Sequence, residues 1–188
     1  MPETPDQDAL RLLEQGDPRG FDLAYARHAE RIFGFLLRLS GSRAVAEDLF
    51  QHTFMRLAEF GARLRVDSDL RAWLFSVARN AFHSQARSRA VQARATAELL
   101  PAALQGTTAS LDSGLVLDEL ERALARLPAS DRELLLLFGV EGLSHADVAR
   151  VLDLDQVTVR KRVSRARARL AEALDGDARA VSKFKVSE

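Results

Sequence analysis

Residues 156–170, QVTVRKRVSRARARL, place six cations (Arg160, Lys161, Arg162, Arg165, Arg167 and Arg169) in one stretch with no acid among them. Val159, Val163, Ala166 and Leu170 recur at steps of four, three and four, which predicts a helix with one apolar stripe and the cations turned away from it. Such a helix packs through a narrow face and carries an uncompensated positive field suited to a polyanion. Just before it, LSHADVARVLDLD at 143–155 reads as a short amphipathic helix followed by a tight turn. Ser144 and Asp147 have the spacing of a capping box, and the pair of helices has the spacing of a helix-turn-helix whose second member enters the DNA major groove.

Helical periodicity extends over the whole chain, and β-branched residues never alternate with polar ones for more than a few positions, so the fold class is all-α. A short helix is expected over 8–15, broken by Gly16-Asp17-Pro18-Arg19-Gly20, then helices over 21–39 and 44–60. Residues 61–67 read as a loop, with Ser68 or Asp69 capping a helix that runs to about residue 89 through Leu70, Trp73, Leu74, Val77, Ala78 and Ala81. Periodicity weakens into Ala, Gln, Thr, Gly and Pro and returns over 115–127. After Pro128 the spacing predicts a helix over 132–139 capped by Ser130 or Asp131, then the short helix after Ser144, then a last helix over 156–174. Two small helical domains, 21–90 and 115–175, are expected on either side of a flexible linker at 91–114, with an N-terminal extension at 1–20 bearing a short helix and a polar tail at 176–188.

The chain has 188 residues and a formal net charge of zero, but its charge is segregated. Between 112 and 155 ten acids face four arginines, whereas 156–174 holds six cations against Glu172 alone. A second basic stretch at 61–94 sets seven arginines against Asp67 and Asp69. Two basic surfaces for nucleic acid are one reading of this pattern, and arginine-rich solvated helix faces are the other. With no cysteine, disulfides and thiolate metal sites are excluded, and the four histidines (His28, His52, His83, His145) have no ligand spacing, so no metal or cofactor is expected. The N-terminal residues lack an apolar export segment and the longest strongly apolar run, 134–140, is too short for a bilayer, which points to a cytoplasmic protein without membrane insertion. No phosphate loop, HExxH motif, cysteine nucleophile or converging carboxylate pair supports catalysis.

Four strings carry a family resemblance: AEDLFQHTF (46–54), LRAWLFSVARNAF (70–82), ALARLPASDRELLLL (123–137) and GLSHADVARVLDLDQVTVRKRVSRARARL (142–170). In this order, across a variable linker, they resemble the extracytoplasmic-function (ECF) sigma factors of bacterial RNA polymerase, which keep only the second and fourth sigma domains. The chain departs from the family pattern at His52 (usually Glu), around Ser84 (where the family usually has an Asp), and at Asp153 and Val157 (both usually Gly). Aspartate tolerates the left-handed conformation better than most residues, so Asp153 is expected to keep the turn.

The resemblance implies an alternative sigma factor that binds core polymerase, directs promoter-specific initiation and helps to melt promoter DNA. The implied partners are core RNA polymerase (the clamp helices of its largest subunit and its flap), promoter DNA and an anti-sigma factor. For the minus-thirty-five duplex the candidates are Thr158, Arg160, Lys161, Arg162, Ser164, Arg165 and Arg167. Arg160, Lys161 and Ser164 are placed to read base edges, Arg162, Arg165, Arg167 and Arg169 to grip backbone, and Thr158 to hold a phosphate at the helix start. For the minus-ten strand they are Arg63, Arg65, Arg71, Trp73, Arg79 and Asn80, where cations follow the backbone and an aromatic or pocket takes an unstacked base. Trp73 also fits the apolar stripe of its helix, and Phe75 lies off that stripe as the candidate exposed aromatic. Glu47, Asp48, Gln51 and His52 are the polymerase-docking candidates; without the resemblance they read as a solvated face opposite Val45, Leu49 and Phe54. A sigma-like decoy that sequesters an anti-sigma protein is the alternative, and it would be expected to have lost the cations that 156–170 retains.

Overall fold

The computed structural model describes residues 5–96 and 115–185, with side chains for 6–92 and 119–174, and contains no strand among them. The helices are α1 (Pro5–Glu14), α2 (Pro18–Ser40), α3 (Arg43–Phe60), α4 (Leu70–Thr96), α5 (Leu115–Arg126), α6 (Ala129–Leu135), α7 (His145–Leu152) and α8 (Gln156–Lys185). A 3₁₀ turn at Gly61–Arg63 follows α3, and a π turn at Leu136–Val140 follows α6. Helices α1 to α4 form one compact unit and α5 to α8 a second.

In the first unit, Asp17 caps α2 by accepting the Arg19 amide at 2.9 Å, with Pro18 in the first turn where its missing N–H costs nothing. A Cβ at Gly20 would lie 2.6 Å from the Leu13 amide nitrogen, so α1 and α2 meet at a point that only glycine permits. Asp6 on α1 reaches His28 on α2 at 3.0 Å. That hydrogen bond, reinforced by the charges of His28, Arg27 and Arg71, outweighs burial and lowers the Asp6 carboxyl below its ordinary value. Gly41 ends α2 in the left-handed conformation (φ 66°), its amide donating to the Leu37 carbonyl at 2.9 Å.

Helix α4 packs against α1, α2 and α3. Its buried residues (Leu70, Ala72, Leu74, Phe75 and Ala78) therefore spread wider than one stripe. Phe75, expected as an exposed aromatic, is 1% exposed and meets Phe35 edge-on at 5.2 Å. Asp69 caps the helix as expected, accepting the Ala72 amide at 2.9 Å, but α4 runs to Thr96 rather than 89. The first residues of the expected linker are thus helical, and 97–114 lie outside the described residues.

In the second unit, α6 starts at Ala129 with extended Pro128 (φ −50°, ψ 141°) at its cap position, correcting the expected cap at Ser130 or Asp131. Arg132 bends back instead to the end of α5, its Nε donating to the Leu124 carbonyl at 3.0 Å and Nη2 to Ala125 at 2.6 Å. Those carbonyls are the ones a helix end leaves without intrahelical partners. The core joins Leu127, residues 134–137, Leu143, Val148 and Val151 to Val159, Val163 and Ala166 of α8. Helix α8 extends to Lys185, so most of the expected polar tail at 176–188 is helical, and 186–188 lie outside the described residues.

Candidate nucleic-acid and protein interfaces

The first surface is built by α7, its turn and α8. Ser144 and Asp147 form a reciprocal capping box: Ser144 Oγ accepts the Asp147 amide at 3.1 Å, and Asp147 Oδ2 accepts the Ser144 amide at 3.0 Å. The turn passes through Asp153 in the left-handed region (φ 54°, ψ 52°), as expected for a residue standing where glycine is usual. Asp155 then closes the start of α8, accepting the Thr158 amide at 2.7 Å and the Thr158 hydroxyl at 2.5 Å. These bonds hold its carboxyl below the usual carboxylate range.

That arrangement bears directly on the phosphate-holding role expected of Thr158. Both of its donors are engaged by a carboxylate, and an incoming phosphate would meet a negative charge there. Thr158 thereby helps to fix the start of the helix.

Beyond the turn, Val159, Val163 and Ala166 are buried while Arg160, Lys161, Arg162, Ser164, Arg165, Arg167 and Arg169 are exposed. Among the described residues Arg160, Lys161, Arg162 and Arg165 have no ion-pair partner. Arg167 lies over the Phe138 ring at 5.0 Å, and Arg169 pairs with Asp131 across the unit. Arg169, expected among the backbone grips, is engaged by that pair in this structure. Val157, in the first turn, is 58% exposed.

The second surface spans residues 61–80. Arg63 lies 4.9 Å from the Phe60 ring centre, and Arg65 holds Asp67 in a two-point pair with Nε–Oδ1 at 3.0 Å and Nη2–Oδ2 at 3.2 Å. Trp73 is half-buried and Asn80 exposed, and their spacing of seven puts them on one face of α4. Arg71 and Arg79 are rotated roughly 120–160° from Trp73 at about 100° per residue. Both are half-buried, and the charge of Arg71 acts on Asp6 of α1. The six minus-ten candidates therefore divide: Arg63 and Arg65 on the turn and the loop after it, Trp73 and Asn80 along one helical line, Arg71 with its charge felt by Asp6 of α1, and Arg79 reaching Asn80 Oδ1 at 3.3 Å.

The third surface is the outer face of α3. Glu47, Asp48, Gln51 and His52 are all exposed, and Glu47 accepts from Arg43 Nε at 2.8 Å. Met55, 53% exposed, stands in the middle of this polar face. The spacing 48–51–52–55 is present in the sequence, but a lone methionine among polar neighbours gives no periodic signal. An aromatic lattice flanks it, in which Tyr25 lies 4.9 Å from Phe54 and 5.9 Å from Phe50.

Among the described residues no group of three or more acids and histidines could hold a metal ion, and no helix is long and apolar enough to cross a membrane.

Comparison with known proteins gives the chain a class. The model for sigma-70 region 2 matches residues 24–91 and that for sigma-70 region 4 matches 117–170. The chain is 34% identical over 143 residues to the ECF RNA polymerase sigma factor EcfG of Rhodopseudomonas palustris, covering 74% of this chain and 77% of that one. It is 31% identical over 181 residues to the RNA polymerase sigma-H factor of Pseudomonas aeruginosa, covering 90% and 93%. Among solved structures, the sigma factor RpoE of Bartonella quintana, crystallised with the anti-sigma factor NepR, is similar with a TM-score of 0.69 at 33% identity, over 82% of this chain and 96% of that one.

The chain belongs to the ECF sigma factors of RNA polymerase. As a sigma factor it is a transcription initiation factor with a DNA-binding helix-turn-helix, and it is not an enzyme.

Proposed function

We propose that this chain docks on core polymerase through the Glu47, Asp48, Gln51, His52 and Met55 face of α3, recognises promoter DNA at two points and helps to open it in the cytoplasm. Helix α8 takes the minus-thirty-five duplex in the major groove, with Arg160, Lys161 and Ser164 toward base edges and Arg162, Arg165 and Arg167 toward phosphates. The turn and loop bearing Arg63 and Arg65 and the Trp73–Asn80 line of α4 take the unstacked minus-ten strand, with Arg79 beside Asn80. Residues 21–90 and 115–175 serve as the two working domains. Control by an anti-sigma protein fits the B. quintana relative, which was crystallised with one.

The observation that carries this reading is the outer face of α8. Four of its cations have no ion pair among the described residues, while the opposite face is buried in the unit's core. The test is run-off transcription from genomic fragments with core polymerase and the purified chain. Discrete transcripts that require the chain support the reading. Their absence, with an anti-sigma protein still bound, would make the chain a decoy.

A further inference from the structure

Val157 is the exposed apolar residue at the entry of α8, and nothing in the unit's packing requires it there. The apolar residues that hold α8 to the unit (Val159, Val163 and Ala166) are at most 3% exposed, whereas Val157 is 58% exposed. Lys161 is four residues on and Ser164 seven, so the three side chains form one line on the side of the helix opposite the buried stripe. Asp155 fixes the first turn through the Thr158 amide and hydroxyl, so the position of Val157 is set by the fold.

On an otherwise cationic and polar face, a branched aliphatic side chain has one useful partner in the major groove. It has no donor or acceptor for a base edge, and against guanine or cytosine it would cover polar atoms without replacing their hydrogen bonds to water. The C5-methyl of thymine is the apolar group displayed there, and residues near the start of a recognition helix are those that reach base edges. We propose that Val157 is a specificity-determining residue that packs against a thymine methyl in the upstream promoter duplex, beside the base read by Lys161. This rests on the assignment of α8 to duplex DNA.

The test uses the full chain with core polymerase and a pool of duplexes randomised across the upstream element. Once the enriched sequence is known, each thymine is replaced singly by deoxyuridine, which lacks only the methyl group. At one position this replacement weakens binding of the natural protein about fourfold, the worth of one buried methyl group. Val157→Ala, which retains a good helix former, abolishes that penalty while still enriching sequences through the other contacts. An unchanged penalty in the variant, or none in the natural protein, overturns the proposal and leaves the promoter reading intact. A variant weakened equally on every sequence overturns it too, by giving Val157 a structural part only. No enrichment by the natural protein would overturn the promoter reading along with this one.

Discussion

Residues 61–94 and 156–174 carry the same net positive excess, seven cations against two acids and six against one, yet the two regions present it differently. On α8 four cations stand without an ion pair among the described residues, and the acid nearest the helix start, Asp155, is occupied in capping it. Over residues 63–71 the charge is engaged: Arg65 by Asp67, Arg63 by the Phe60 ring, and Arg71 by its electrostatic interaction with Asp6. Free cations suit a duplex, whose dense phosphates reward every charge delivered to them. Engaged cations beside a half-buried Trp73 suit a strand held by shape and stacking, where rigid positioning counts for more than net field.

The contrast can be broken in several ways. Among single substitutions the largest effect is expected away from both basic regions: Asp48→Arg, in the centre of the α3 face, should weaken association with core polymerase by at least about tenfold while duplex binding by the full chain at low salt is unchanged. Comparable losses in both assays would erase the division between surfaces. Next, Arg162→Ala and Arg165→Ala should each weaken duplex binding severalfold regardless of sequence, and each should reduce the salt slope by about one. Smaller still, Asp67→Asn releases Arg65, and binding of a single-stranded minus-ten oligonucleotide should rise by no more than about threefold, since exposed pairs contribute little. A rise as large as the losses on α8 would show that the 61–80 surface also works mainly through free charge.

Last, Asp6→Asn tests whether α1 is braced by its charged hydrogen bond to His28. At neutral pH the variant should lose on the order of 1 kcal/mol of first-unit stability in denaturant unfolding. Because folding depresses the Asp6 carboxyl from 3.8, its contribution is complete above that value and disappears as pH falls through the lower folded value. The deficit of the variant should therefore fade in acid, and a deficit that persists there would assign it to packing.

Local chemistry was readable from the residues where it is local. The Val159, Val163 and Ala166 stripe, the Ser144 and Asp147 box and the left-handed Asp153 each depend on neighbours within a turn or two. What escaped depends on partners distant in the chain or on competition at close range. Phe75 is buried because α4 is enclosed by α1, α2 and α3, which one apolar stripe does not reveal. Asp131 pairs with Arg169, thirty-eight residues away, and cannot be recognised as a partner from spacing. Pro128 conceals the start of α6 because its extended backbone serves as the cap without a side-chain hydrogen bond. Thr158 looked free because the sequence does not show which of several nearby acceptors wins, and Asp155 is the one that does.

The central claim, that the free cations of α8 read duplex DNA independently of polymerase docking, is tested most directly by combining Arg160→Ala with Lys161→Ala. In one reconstitution, association with core polymerase and affinity for the upstream duplex are measured together. Affinity should fall on the order of a hundredfold while polymerase association matches that of the natural protein. Equal loss of both, or retention of duplex affinity, would contradict it.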